Sequence, residues 1–229
     1  GEATVTSTLT FTSANWDTPQ TITVTGVDDD LIDGDIVSTV TVVVDDANSN
    51  DDFDAVADQT VSVTTTDDDV AGFTIVESDG STEVAESGTT DTFTIVLDAQ
   101  PTSDVVLTVT SSDTGEATVT SSLTFTPANW DTPQTITITG VDDDIIDGTV
   151  TSTITISVVD ASSNDNFDSV ADQTVSVTTT DDDVAGFTIV ESDGSTEVAE
   201  SGTTDTVTVV LDAEPASDVV ISISSDDTG

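Results

Sequence analysis

The chain repeats itself. GEATVTS at Gly1 returns as GEATVTS at Gly115, and a gapless alignment of residues 1–114 with 115–228 leaves 91 of 114 positions identical. Trp16 returns as Trp130, Asp67 as Asp181 and Glu86 as Glu200, all at the same offset of 114 residues. Whatever one period folds into, its neighbours must fold into as well, and a period of this length is a domain rather than a short solenoid turn. The period is not the domain frame, however. DDDVAGFTIVESDG, at Asp67 and again at Asp181, reads as the end of one unit running into the start of the next. The expected division is the C-terminal part of one unit over residues 1–69, a complete unit over 70–183, and the N-terminal part of a third over 184–229. No Gly- or Ser-rich linker separates Asp183 from Val184, so adjacent units are expected to be mechanically coupled.

Inside the expected unit the apolar residues alternate with period two, in GFTIVES, STEVAE, DTFTIVL, DVVLTVT, ATVTSSLTF, QTITITGV, TSTITISVV and QTVSVTTT. Helical spacing is absent. Between these segments stand DG, SG, PTSD, PANWDTP, DDDIIDG and SSNDNFD, which are turn sequences. About seven short strands, apolar on one face and Thr- or Ser-bearing on the other, predict an all-β fold of tandem antiparallel β-sandwiches of the immunoglobulin-like kind. Trp16 and Trp130, each in a Pro-bounded ANWDTPQ turn, are expected to be packing plugs. No apolar run approaches the roughly 18 residues of a membrane helix, so no membrane insertion is expected.

Charge narrows the function. The chain has 47 Asp plus Glu and no Lys, Arg or His, a formal net charge of −47. It has nothing with which to grip nucleic-acid phosphates, and an anionic membrane surface would repel it. Without His, Cys, Lys, Arg or Tyr the usual general bases, thiolates, Schiff-base amines and zinc ligands are missing, so no enzymatic activity is expected. Paired carboxylates can make a glycosidase, but seven Phe and two Trp over two periods suggest no aromatic-lined cleft.

The natural partners are cations. Four Asp triplets (Asp28, Asp29, Asp30; Asp67, Asp68, Asp69; Asp142, Asp143, Asp144; Asp181, Asp182, Asp183) each follow an alternating strand, and paired triplets start 39 residues apart in both copies. Three adjacent carboxylates repel one another unless water or a cation screens them. In extended chain, alternate side chains point the same way, so a triplet can bridge neighbouring cations. Oxygen-only ligands select a hard ion, and calcium's six to eight oxygens suit a crowded Asp site better than magnesium's strict octahedron. The competing reading is a solvated surface adapted to high salt; the placement of the triplets at strand ends favours calcium.

VAESG at Val84, GVDDDIID at Gly140 and TTDDDVAGFT at Thr179 resemble the Calx-β domain, the calcium-binding sandwich of sodium/calcium exchangers and of many large bacterial surface proteins. LTFTPANWDTPQTITITGVDDD, from Leu123, is similar to the family's strand, turn and strand leading into its acidic loop. The resemblance covers residues 70–183 and, in part, both flanks. It implies that Glu86 opens a calcium site, that Asp142, Asp143, Asp144 and Asp147 supply its middle loop, and that Asp181, Asp182 and Asp183 close it, all at one end of the sandwich. The matching positions in the flanking parts are Asp28, Asp29, Asp30, Asp33, Asp67, Asp68 and Asp69 before, and Glu200 after. There are two departures. Gly148 follows Asp147 where the family carries a Glu pair, and the family's acidic residue between the third and fourth strands finds no counterpart in SSDTGEATVTSS. Fewer ions than in the fullest family sites are implied, about two or three per unit.

A second acidic group, SNDNFD at Ser163 and SNDDFD at Ser49, lies in the loop before the last strand and is expected at the opposite end of the sandwich. In a head-to-tail array Asp165 and Asp168 would then approach the triplets of the preceding unit; a solvated turn explains the same residues equally well. Together these features imply a secreted structural protein, extracellular or at the cell surface: a calcium-stiffened segment of a long array, as in an adhesin stalk or matrix fibre. Its expected partners are calcium, neighbouring repeat units and other copies of itself in a fibre. One alternative is a calcium-dependent glycan- or protein-binding module, against which the near-identity of the repeats weighs. Another is a filament built by strand donation between chains.

Overall fold

The computed structural model describes residues 1–226. The first 69 residues contribute β1 (Ala3–Val5), β2 (Val24–Gly26), β3 (Ile36–Val42) and β4 (Gln59–Thr65). Nine strands follow: β5 (Phe73–Glu77), β6 (Thr82–Ala85), β7 (Thr90–Leu97), β8 (Val105–Ser111), β9 (Ala117–Val119), β10 (Ser122–Phe125), β11 (Gln134–Gly140), β12 (Val150–Val158) and β13 (Gln173–Thr180). The hairpin β14 (Phe187–Glu191) and β15 (Val207–Leu211) closes the series. Among the described residues no helix is long and apolar enough to cross a membrane.

Strands β5 to β13 form a sandwich of a five-stranded sheet, in the order β10-β8-β12-β13-β6, and a four-stranded sheet, in the order β5-β7-β11-β9. Period-two patterning decides which side chains fill the space between them. In β12, Ser152, Ile154 and Ile156 are buried while Thr151 and Thr153 are exposed; in β13, Val175, Val177 and Thr179 point inward. Phe93 and Ile95 of β7 and Ile136 and Ile138 of β11 meet them from the other sheet. Phe125 of β10 and Phe167 of a short 3-10 turn complete the core with no exposed surface, and each fully buried side chain of this size contributes about 1.5 to 3 kcal/mol. Trp130 packs against this core, and its carbonyl accepts from the Leu97 amide at 3.1 Å.

The strand count exceeds seven because ATVTSSLTF does not stay in one sheet. It runs as β9 in the four-stranded sheet, then crosses at Thr120 and Ser121 to become β10 in the five-stranded one. A second difference matters more. Not every pairing is antiparallel: β6, from STEVAE, lies in the sheet opposite β5 and pairs with β13 in parallel, Thr82 opposite Val177 through Ala85 opposite Thr180. It is the one parallel pairing between named strands among the described residues.

The flanking parts carry the same apolar residues without the same cover. Phe73 is 2% exposed but its counterpart Phe187 is 53%, and Trp16 is 72% exposed where Trp130 is packed. In β5 to β13 two facing sheets cover these side chains, and in the flanks no second sheet does so among the described residues.

The loop after β2 touches the sandwich that follows it. The Gln100 amide donates to Asp30 O at 2.7 Å, the Ile32 amide donates to Gln100 O at 3.3 Å, and Leu31 bridges Gln100 in parallel. Asn166 Nδ2 donates to Ile32 O at 3.0 Å, and the Ile32 side chain packs against the core cluster. The loop bearing SNDNFD thus meets the acidic loop of the preceding residues, but through an amide and an apolar side chain rather than through Asp165 and Asp168. The Asp168 carboxyl is raised from its ordinary value by burial and then by Asp160 and Asp165, which belong to its own loop.

Candidate metal centre

The parallel pair builds the site. Because β6 and β13 run the same way, they leave the sheet at the same end, and the residues just past the Ala85–Thr180 pair are Glu86 and Asp181. The Glu86 amide donates to Thr180 O at 3.1 Å, which fixes its backbone beside the second triplet. β11 arrives at this end and β12 leaves it, so the loop between them, with Asp142, Asp143, Asp144 and Asp147, closes over the same spot. Gly140 lets the chains pass this closely: a Cβ there would lie 2.1 Å from Ala85 O, a clash with backbone that no rotamer relieves. Gly148, at φ 76°, turns the loop back so that its amide donates to Asp181 Oδ2 at 2.7 Å.

Glu86 is 1% exposed, and neither of its carboxylate oxygens has a hydrogen-bond partner. Glu116, 7% exposed, leaves Oε2 unpartnered, and Asp183 leaves Oδ2 unpartnered. A buried carboxylate with no donor is costly, and the chain has no Lys, Arg or His to pair it with. Ligand oxygens of Glu86, Glu116 and Asp147 lie within 4.8 Å of one another, as do those of Glu86, Asp181 and Asp183. Glu86 belongs to both groups.

Of the positions expected at this end, Glu86, Asp147, Asp181 and Asp183 converge. Asp143 stands close enough to repel both Glu86 and Glu116, while its Oδ1 accepts from the Ile145 amide at 2.7 Å. Asp142, Asp144 and Asp182 are exposed at the rim and act on Asp183 by charge alone. The residue that sequence reasoning missed is Glu116: SSDTGEATVTSS does supply an acidic group, just before β9, and the Glu116 carbonyl accepts from the Val141 amide at 2.9 Å.

In the preceding copy Asp67 repeats the anchoring role, its Oδ2 accepting from the amides of Asp33 at 3.1 Å and Gly34 at 2.6 Å. Asp28, Asp29, Asp30, Asp33 and Asp68 are exposed, Asp69 is half-buried, and a small concavity lined by Glu2, Asp28, Asp29, Asp33, Asp67 and Asp69 lies among them. Glu200 is exposed and joins no acidic group among the described residues.

Burial pushes the Glu86 carboxyl from 4.5 up to about 7, reinforced by the like charges of Asp181, Asp143, Glu116 and Asp147. Glu116 is raised by burial and then by Asp147, Asp113, Asp143 and Asp181. Asp183 is raised by burial and then by Asp181, Asp144, Asp182 and Asp142. The metal-free protein therefore holds protons in the folded state that the unfolded chain has released. That contribution to stability is complete below the ordinary value of 4.5 and is lost as pH rises through about 7. In chelator, the melting temperature is expected to fall by roughly 5 to 10 °C between pH 5 and pH 8. A melting temperature that is flat or rising over that window would contradict the burial of these carboxylates.

No family model and no curated protein matches the chain. Among solved structures it is similar to the apo form of the Calx CBD1 domain, at 16% identity and a TM-score of 0.36, over 48% of this chain and 98% of that one. It is similar to domains 4 and 5 of the S-layer protein SbsC, at 24% identity and a TM-score of 0.34, over 53% of this chain and 59% of that one. A longer form of SbsC aligns with 85% of this chain and 32% of its own length, at 18% identity and a TM-score of 0.36.

Proposed function

We propose that the chain is a segment of a secreted structural array, extracellular or at the cell surface, whose sandwich units are framed as 1–69, 70–183 and 184–229 and are stiffened by calcium at their acidic ends. The observation that carries this reading is Glu86: a buried carboxylate, unpartnered at both oxygens, shared by two groups of carboxylates in a chain with no cationic side chain. Two ligands on opposite sides of a calcium ion, each 2.3 to 2.6 Å from it, stand about 4.6 to 5.2 Å apart, so oxygens within 4.8 Å of one another fit around one ion. Glu86, Glu116 and Asp147 would hold one ion, and Glu86, Asp181 and Asp183 a second. Asp142, Asp143, Asp144 and Asp182, around the rim, supply further oxygens or hold the ions' water.

The ion contributes charge neutralisation and cross-linking, tying the loop of residues 141–149, the end of β13 and the end of β6 into one piece. The same end recurs with Asp28, Asp29, Asp30, Asp33, Asp67, Asp68 and Asp69, and Glu200 opens the third. Near-identical units support a spacer, since a dedicated ligand-binding unit diverges from its neighbours. Small-angle scattering of the chain, and of a chain with more repeats, tests the reading. A longer maximum dimension in calcium than in chelator is the expected result; a length and flexibility indifferent to calcium would contradict it.

A further inference from the structure

The loop that carries the carboxylates has an apolar tip, Leu31 and Ile32 in one copy and Ile145 and Ile146 in the next, in the middle of an otherwise acidic stretch. A chelating loop has no use for two adjacent branched aliphatic residues set between its carboxylates. Leu31 and Ile32 are half-buried because the following sandwich lies under them, and Ile32 packs on that sandwich's core cluster. Ile145 and Ile146 are 39% and 41% exposed; there the described residues bring up only the turn at Glu214, whose amide donates to Asp144 O at 2.6 Å and which bridges Ile145 in parallel. The amide hydrogen bond to the last Asp of the triplet and the parallel bridge thus recur at both junctions, displaced by 114 residues.

The seat is itself braced. Gln100 Nε2 donates to Pro127 O at 2.7 Å, and the 5% exposed Asn164 donates through Nδ2 to Thr102 Oγ1 at 2.6 Å and Ser103 Oγ at 3.2 Å. This holds the turn after β7 and the loop before β13 in one surface, from which Asn166 reaches Ile32 O. Two of the differences between copies fall on this surface and change an amide for a carboxylate: Asn166 is Asp52 in the copy before, and Gln100 is Glu214 in the copy after. A carboxylate at position 166 has no N–H to offer a carbonyl, and it brings a negative charge to a loop that already carries Asp28, Asp29, Asp30 and Asp33.

We propose that the apolar tip of the acidic loop is the docking element of the array, that its partner is the base of the following repeat formed by Gln100, Pro127, Asn164 and Asn166, and that an amide or a carboxylate at position 166 sets how firmly a junction closes. The inference rests on the head-to-tail reading of the chain but not on calcium. The acidic loop then faces two ways: its carboxylates serve its own unit, and its Leu–Ile tip serves the next.

Hydrogen exchange on the whole chain in calcium, read at the Gln100 and Ile32 amides, tests it, with bound calcium measured on the same samples. Both amides are expected to be protected. Asn166→Asp, isosteric and already present in the neighbouring copy, is expected to speed their exchange by about two- to tenfold. Ile32→Ser, outside the sandwich's own strands, is expected to speed it by about tenfold or more, while amides in β7 and β11 and the bound calcium stay unchanged. Gln100 and Ile32 amides that exchange as freely as an open turn, or that ignore both substitutions, would overturn the docking element even if calcium binds. Protected amides that respond to both substitutions in a chain that binds no calcium support the docking element and overturn the calcium reading alone.

Discussion

Chelating calcium is expected to lower the melting temperature of the sandwich by about 10 to 20 °C at pH 7.5. An ion that binds only the folded state stabilises it by about 2.7 kcal/mol at 100 times its dissociation constant and about 4.1 kcal/mol at 1,000 times, and each kcal/mol moves a domain of this size by about 4 to 5 °C. The sign follows from the metal-free site. Glu86, Glu116 and Asp183 bury oxygens that have no donor, and every neighbour that acts on them by charge is another carboxylate. Calcium would supply the missing positive charge where Glu86, Glu116 and Asp183 bury unpartnered carboxylate oxygens. Thermal melts in calcium, in chelator, and in chelator with sodium chloride at high ionic strength separate the explanations. Midpoints equal in calcium and chelator would sink the site, and full recovery by sodium would favour general screening of a net charge of −47 over specific binding.

Glu86→Gln is expected to have opposite effects in the two conditions. With calcium present, the substitution removes the ligand common to both carboxylate groups, so the stabilisation by the ion is largely lost and the melting temperature drops by about the same 10 to 20 °C. In chelator at pH 8 the same substitution should raise it. An unpaired buried amide costs about 1 to 3 kcal/mol, whereas an uncompensated buried carboxylate costs several, so removing the charge wins by roughly 1 to 2 kcal/mol. That is a gain of about 5 to 10 °C. A substitution that merely damaged the fold would lower the midpoint in both conditions.

The strands were legible because a half-buried sheet stamps period two on the sequence, and Ile154, Ile156, Val175 and Val177 face the core as their alternation requires. The change of sheet at Thr120 and Ser121 was not, since a polar TSS looks the same whether a strand continues or crosses over. The parallel pairing of β6 with β13 was hidden for a related reason: alternation tells which face a residue takes, not which strand lies beside it, and these partners are far apart in sequence. Yet that pairing is what carries Glu86 to Asp181. Glu116 escaped notice because in GEATV it reads as one more polar turn residue; its signal is an acidic residue kept at the entry to an apolar strand, as Glu2 is in the other copy, where burial without a cation is unfavourable. At the junction the abundance of Asp drew attention to Asp165 and Asp168, while the contact belongs to the amide between them, Asn166.

Calcium titration calorimetry of the whole chain with Glu86 intact and as Glu86→Gln tests the central claim most directly, with Asp193→Ala, an exposed residue of the turn after β14, as the control. The account predicts that Glu86→Gln binds about two fewer ions per chain, one for each carboxylate group that Glu86 serves, while Asp193→Ala binds as many as the unaltered chain. Equal small losses from both substitutions, or calcium uptake untouched by Glu86→Gln, would contradict it and leave the acidic ends as a diffusely screened surface.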